Sequence, residues 1–245
     1  MKILALDSSG LAASAALVED DTLIAEYTIQ YKKTHSQTLL PMVAQIRDMV
    51  ELDLDTVDAI AVAAGPGSFT GLRIGSATAK GLALALDKPI VPVPTVEGLA
   101  YQMYGTDALV CPIMDARRSQ VYTGIYEFVY GKDKYDMNVI KEQCAVTFDE
   151  IAGVLNNLGR KVFFLGDGVP VFRERRAEVM QVPYLLAPAH RNRQSAACIA
   201  ALGSLYFAQG KVESGNQHAP IYLRLSQAER ERAESQSRET RADDR

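Results

Sequence analysis

The hydrophobic pattern opens with three short runs separated by polar turns. Ile3 to Leu6 is compact and apolar and stops at Asp7-Ser8-Ser9-Gly10, Ala13 to Val18 stops at Glu19-Asp20-Asp21, and Leu23 to Ile29 alternates between apolar and polar side chains. Runs of this length bounded by turn residues predict strands, and connections this tight predict an antiparallel meander. Leu39, Val43, Ile46 and Val50 then recur at helical spacing and line one face of a helix, with Ser36 as its N-cap and Pro41 disturbing its first turn. Asp58 to Ala64 reads as a strand covered on both faces. The glycine-rich turn from Gly65 to Arg73 leads into a helix over about Thr70 to Leu86. Ile90 to Val93 is another buried strand, and Thr95 caps a helix to about Tyr104.

After Gly105-Thr106-Asp107 the pattern restarts. Leu109 to Met114 is apolar and ends at Asp115, Val121 to Tyr130 alternates aromatic and β-branched residues, and Val139 to Val146 reads as a third strand. A helix over about Asp149 to Leu158, a strand from Val162 to Leu165 with a Gly166-Asp167-Gly168 turn, and a closing helix from Gln194 to Gln209 complete it. Strands followed by alternating helices and strands predict a mixed α/β sheet with packed helices. Two such halves, each opening on an apolar strand that ends in Asp, are the ground plan of the actin-like, ribonuclease-H-like fold. The expected division is an N-terminal lobe over 1–107, a smaller C-terminal lobe over 108–225, and a tail over 226–245. Eleven of the twenty tail residues are charged, a composition that cannot bury enough apolar surface to offset its ordering entropy, so the tail is expected to be disordered.

Composition narrows the function classes. The chain has 245 residues, 48% hydrophobic and 23% charged, as in a soluble globular protein. Its longest apolar stretch, Gly81 to Leu86, is far shorter than the roughly 20 residues that span a bilayer, and the N-terminus lacks the apolar core of a signal peptide. A cytoplasmic protein with no membrane contact is expected. Cys111, Cys144 and Cys198 have no Cys-x-x-Cys spacing and read as small core residues. The formal net charge of −4 argues against a chain that grips nucleic acid on its own, because counterion release from a basic surface supplies most of that affinity. The pairs Lys32-Lys33, Arg117-Arg118 and Arg175-Arg176 are expected on solvated faces.

Little in the sequence suggests catalysis. His35, His190 and His218 are the only histidines, and no two have the spacing of a helical metal pair. The loop Gly65-Pro66-Gly67-Ser68-Phe69-Thr70-Gly71-Leu72-Arg73 lacks the Gly-Lys-Ser/Thr of a phosphate-binding loop and reads as a tight strand-to-helix connection. Asp7, Ser8 and Ser9 on their hairpin, and Gly166-Asp167-Gly168, are weak candidates for contact with a nucleotide phosphate, and each also reads as an ordinary turn. Gly71, Gly75, Ala79 and Ala83 recur every four residues, leaving one flank of the second helix nearly bare. Together with the Leu39–Val50 helix it carries more apolar surface than one sheet face would cover. Two readings stay open on these residues, an interior pair of helices or an exposed protein–protein interface.

The motifs are specific. Leu4-Ala5-Leu6-Asp7-Ser8-Ser9, His35-Ser36-Gln37, the GPGSFTGLRIG stretch, Pro94-Thr95-Val96-Glu97, Met114-Asp115-Ala116-Arg117-Arg118 and Pro220-Ile221-Tyr222-Leu223-Arg224 together resemble the TsaB (YeaZ) family, over about residues 1–225. The resemblance implies an actin-like, non-catalytic subunit that needs no cofactor or metal. It implies a heterodimer with TsaD, the subunit that transfers threonylcarbamoyl to N6 of adenosine 37 in tRNAs reading ANN codons. It further implies a homodimer when alone, interaction with the ATPase TsaE, and contact with tRNA only through the complex. In that family the dimer surface uses the first two helices of the N-terminal lobe. Carried onto this sequence, it places Leu39, Val43, Ile46, Val50, Gly71, Ile74, Gly75, Thr78, Ala79 and Leu82 at the partner interface. The alternative is an actin-like ATP-binding small-molecule kinase, which would need phosphate hairpins in both lobes. No Gly-Thr-Gly hairpin follows Asp115.

Overall fold

In a computed structural model, which describes residues 1–31 and 33–224, the chain forms two five-stranded sheets. The first is built from β1 (Lys2–Asp7), β2 (Ala13–Glu19), β3 (Thr22–Ile29), β4 (Ala59–Gly65) and β5 (Ile90–Pro94), in the order β3-β2-β1-β4-β5. The second uses β6 (Leu109–Asp115), β7 (Gln120–Tyr130), β8 (Tyr135–Thr147), β9 (Val162–Leu165) and β10 (Tyr184–Leu186), in the order β8-β7-β6-β9-β10. In each sheet a meander of three antiparallel strands continues into two parallel ones. This duplicated mixed sheet is the actin-like fold.

The helices pack by the strands' period-2 alternation. Leu4 and Leu6 of β1 point to one face, where α1 (His35–Met49) and α2 (Phe69–Leu86) cover them with Leu39, Ile46, Ala79 and Ala83. Ile3 and Ala5 point to the other face, under α7 (Ala196–Ala208), whose Ile199, Ala200 and Leu202 complete that core. On the second sheet, α4 (Phe148–Leu158) lays Phe148, Ile151 and Leu155 over Leu109, Cys111 and Ile113. Its opposite face takes α3 (Thr95–Ala100), with Val96 and Leu99 against Val110 and Met114.

Two helices pack across the expected boundary between the lobes. α3 lies within 1–107 yet seals the second sheet, and α7 lies within 108–225 yet seals the first. Each half lends a helix to the other's core, because each sheet has two apolar faces and too few local helices to cover both. The segment after α7 also returns to the first half: Glu213 pairs with Ile90 through two 2.8 Å backbone hydrogen bonds, and Ile221 N–H donates to the Ala64 carbonyl at 2.7 Å. The expected tail lies outside the described residues, as does Lys32.

Several local expectations also change. α1 begins at His35 after Thr34, which makes no side-chain cap, and Ser36 is inside the helix; Pro41 is accommodated within it. Thr95 is the first residue of α3 rather than its cap, and its hydroxyl accepts the Gly65 N–H at 3.0 Å. Thr147, in contrast, forms a full capping box with Glu150 on α4. The short helices α5 (Gly168–Val171) and α6 (Arg173–Val179) and the strand β10 carry no clear periodic signal. Arg176 is buried, not solvated: its guanidinium donates to the Val169 carbonyl at 2.8 Å and lies over the rings of Phe164 and Tyr184.

The lending of α7 to the first sheet is testable at Gly203, where an added Cβ would lie 2.7 Å from the Ala61 methyl of β4. Gly203→Val is expected to cost about 1–3 kcal/mol of unfolding free energy in urea titrations, the usual effect of overpacking. A change below about 0.5 kcal/mol, the level of an ordinary surface substitution, would place α7 elsewhere.

Candidate functional site

The GPGSFTG loop sits on the turn between β1 and β2. Ser68 N–H donates to the Ser9 carbonyl at 2.7 Å, and the Ser8 hydroxyl donates to the Gly71 carbonyl at 2.8 Å. A Cβ on Gly67 would fall on the Ser9 carbonyl oxygen, one on Gly71 on the Ser8 carbonyl oxygen, and one on Gly75 would stand 2.6 Å from Ser8 Oγ. The glycines therefore let the loop and the first turns of α2 approach the β1–β2 turn more closely than any side chain would allow. Ser68 caps α2 by accepting the Gly71 N–H at 3.2 Å.

Asp7, Ser8 and Ser9 are all buried, and their polar groups are engaged internally. Asp7 Oδ1 accepts both the Ser9 N–H at 2.9 Å and the Ser9 hydroxyl at 2.6 Å. Burial pushes the Asp7 carboxyl up to about 6, against the lowering effect of the Ser9 hydrogen bonds and of nearby His35. The turn packs against the chain's own GPGSFTG loop.

The same contact divides the ten expected interface residues. Leu39, Val43, Ile46 and Ala79 belong to the core beneath α1 and α2, and Gly71 and Gly75 face Ser8. These six are sealed within the chain, so the bare flank of α2 is its inward face. Val50, Ile74, Thr78 and Leu82 are half-buried. The solvent-facing side of the pair consists of other residues. Leu40, Met49 and Leu84 are 54%, 74% and 58% exposed, and Ala77, Gly81 and Ala85 form a second small-residue column along α2. Gly81 lies two residues beyond Ala79, about 200° around the helix, on nearly the opposite side. Among the described residues, nothing beyond the helix's own adjacent backbone comes within 4 Å of a Cβ at Gly81. One stripe of small residues was legible in the sequence; the second lies between its members and was masked by them.

Between the two sheets runs a cleft of about 600 Å³. Its walls carry Asp115 from the end of β6 and Asp167 from the turn after β9, with Asp167 Oδ1 accepting the Asp115 N–H at 3.0 Å. Burial raises the Asp167 carboxyl above its ordinary range. His35 Nε2 lies 2.9 Å from the Gly10 carbonyl at the cleft edge. Among the described residues no group of three or more His, Cys, Asp or Glu side chains is placed to hold a metal ion. No helix among them is long and apolar enough to cross a membrane.

With this geometry the chain can be set beside known proteins. TsaB of Bacillus subtilis (strain 168), described as a tRNA threonylcarbamoyladenosine biosynthesis protein, is 36% identical over 238 residues, 96% of this chain and 100% of that one. The chain belongs to the TsaB (YeaZ) family. The TsaB of Escherichia coli (strain K12) is 31% identical over 91% of this chain and 95% of its own length. The crystal structure of YeaZ from Pseudomonas aeruginosa superimposes with a TM-score of 0.75 at 29% identity, covering 90% of this chain and all of that one. A family model described as TsaD: tRNA N6-adenosine threonylcarbamoyltransferase matches residues 22–231, so this chain shares sequence pattern with that family.

Asp7 makes the engaged turn measurable. A raised carboxyl binds its proton more tightly in the folded chain than in the unfolded one, so stability declines as pH rises from about 4 through about 6, by on the order of 2–3 kcal/mol. Asp7→Asn keeps the acceptor for Ser9 and removes the charge. It is expected to flatten that slope and to raise the urea midpoint near neutral pH. An unchanged pH slope would show that Asp7 is not held in this environment.

Proposed function

We propose that this chain is a non-catalytic subunit in the formation of N6-threonylcarbamoyladenosine on tRNA, and that it works by pairing with the transferase TsaD through the outer faces of α1 and α2. The observation that carries the proposal is Gly81. Glycine within a helix costs about 1 kcal/mol relative to alanine, and no packing among the described residues requires it here. An exposed column of Ala77, Gly81 and Ala85 flanked by Leu84 offers a second backbone a close approach with apolar rims.

The choice of partner follows from the shared family model. A TsaD subunit built on the same plan would present its own α1–α2 face, and two like faces pair about an approximate two-fold axis. By the same logic two copies of this chain pair when TsaD is absent. The chain's role in modification is then to complete an assembly with TsaD and TsaE in the cytoplasm. The engaged Asp7-Ser8-Ser9 turn disfavours the alternative of an ATP-dependent small-molecule kinase, which needs that turn free for phosphate.

Size-exclusion mixing with TsaD of the same organism tests the pairing. Gly81→Leu is expected to weaken it by about tenfold or more, as for a central interface position, and to reduce tRNA modification in the reconstituted system. Gly81→Ala should stabilise the isolated chain by up to about 1 kcal/mol. Undiminished complex formation by Gly81→Leu, with the chain folded by circular dichroism, would remove the outer face as the interface.

A further inference from the structure

The chain is acidic overall, yet its cleft is not. Lys33 on one wall faces Arg117 and Arg118 on the other, and Arg224 lines the same space, so basic residues from distant parts of the chain meet in one cavity. Two carboxylates share it. Asp115 is paired with Arg117, with its Oδ1 accepting the Arg117 N–H at 2.8 Å and its Oδ2 3.3 Å from Arg117 Nη1. Asp167 is turned to the Asp115 N–H. A net positive cleft on a chain of net charge −4 is a local concentration of charge that the bulk composition conceals.

The arginines are held by unusual backbone. Arg117, Arg118 and Ser119 have successive φ values of 64°, 53° and 58°, the left-handed region that side-chain-bearing residues rarely adopt. This three-residue tip closes the β6–β7 hairpin, and Arg224 donates to the carbonyls of Ala116 and Arg117 behind it. The strain is maintained in a conformation that keeps the Arg117 guanidinium 85% exposed at the cleft mouth. Backbone strain of this kind collects at functional sites. Aromatic rings stand nearby. Tyr31, 72% exposed, is on the Lys33 side, and Tyr222, 39% exposed, packs against Phe69 with ring centroids 4.8 Å apart and planes tilted by 35°.

We propose that this cleft binds a single-stranded segment of RNA, with phosphates on Lys33, Arg117 and Arg118 and bases stacked on Tyr31 and Tyr222. Positive charge along a groove with interleaved aromatic faces is the chemistry of single-strand recognition. A free nucleoside diphosphate fits less well, because it needs a compact cradle and the Asp7-Ser8-Ser9 turn is already filled by the glycine loop. The choice of RNA rests on the tRNA-modification reading above; the charge and the rings do not. Such binding would depart from the expectation that RNA meets this chain only through the complex.

Fluorescence anisotropy of a labelled single-stranded RNA dodecamer with the full chain, at several salt concentrations, tests it. The double variant Arg117→Gln/Arg118→Gln is expected to bind at least about tenfold more weakly. It should also lower the slope of log affinity against log salt by about 0.7 for each phosphate that is no longer neutralised. Tyr31→Ala should weaken RNA binding by about tenfold while leaving the salt slope unchanged. All three side chains are exposed, so folding should be retained, and TsaD pairing by size exclusion should be untouched because the cleft lies away from the outer face of α2. Loss of pairing would instead report on the α1–α2 interface. RNA binding that is absent, or equal in wild type and the double variant, would overturn the proposal. So would ADP binding more tightly than the RNA.

Discussion

The contact on which the rest depends is the approach of the α2 backbone to the β1–β2 turn. Gly67 of the loop and Gly71 and Gly75 of α2 present no Cβ, so loop and helix rest on the Ser9 and Ser8 carbonyls and the Ser8 hydroxyl. That contact has three consequences. It fixes which side of α2 faces the sheet, and so which side is left to solvent. It engages the Ser8 hydroxyl on the Gly71 carbonyl, beside a turn in which Ser9 donates to the buried Asp7 carboxylate. It also sets the GPGSFTG loop as one lip of the cleft, beside Phe69 and Tyr222.

The two sheets are coupled by exchange of helices rather than by a surface between finished domains. α3 and α7 each leave their own half to close the other's core. Relative movement of the sheets would then disturb buried apolar contacts on both sides. The segment from Glu213 to Arg224 adds a second tie, pairing with Ile90 and Ala64 in the first sheet and ending on the hairpin tip of the second. The outer face of α1 and α2 and the cleft are distinct surfaces of this coupled body.

Much of this was legible in the sequence, for identifiable reasons. The strands β1 to β9 announce themselves by apolar runs and turn residues, and α1, α2, α4 and α7 by apolar runs or helical periodicity with breakers at their ends. The GPGSFTGLR motif carried the family. What failed was orientation. A stripe of small residues says that something comes close, not that the something is another protein; at Gly71 and Gly75 it is Ser8. Arg117-Arg118 and Lys33 read as isolated basic residues because only the fold brings them to one cleft. Arg176 read as solvated because its partners, the Val169 carbonyl and two aromatic rings, are tertiary. α5, α6 and β10 are too short to show a period.

The most direct measurement compares the two sides of α2 by thiol labelling, with mass spectrometry locating the label. Ala79 is fully buried and Ala85 is exposed. A cysteine introduced by Ala85→Cys should react at the rate of a free thiol and become protected when TsaD is added. One introduced by Ala79→Cys should react only through unfolding, with or without TsaD. Rapid labelling at position 79 that TsaD suppresses would mean the glycine flank faces outward, and the inward seating of α2 on Ser8 would be wrong.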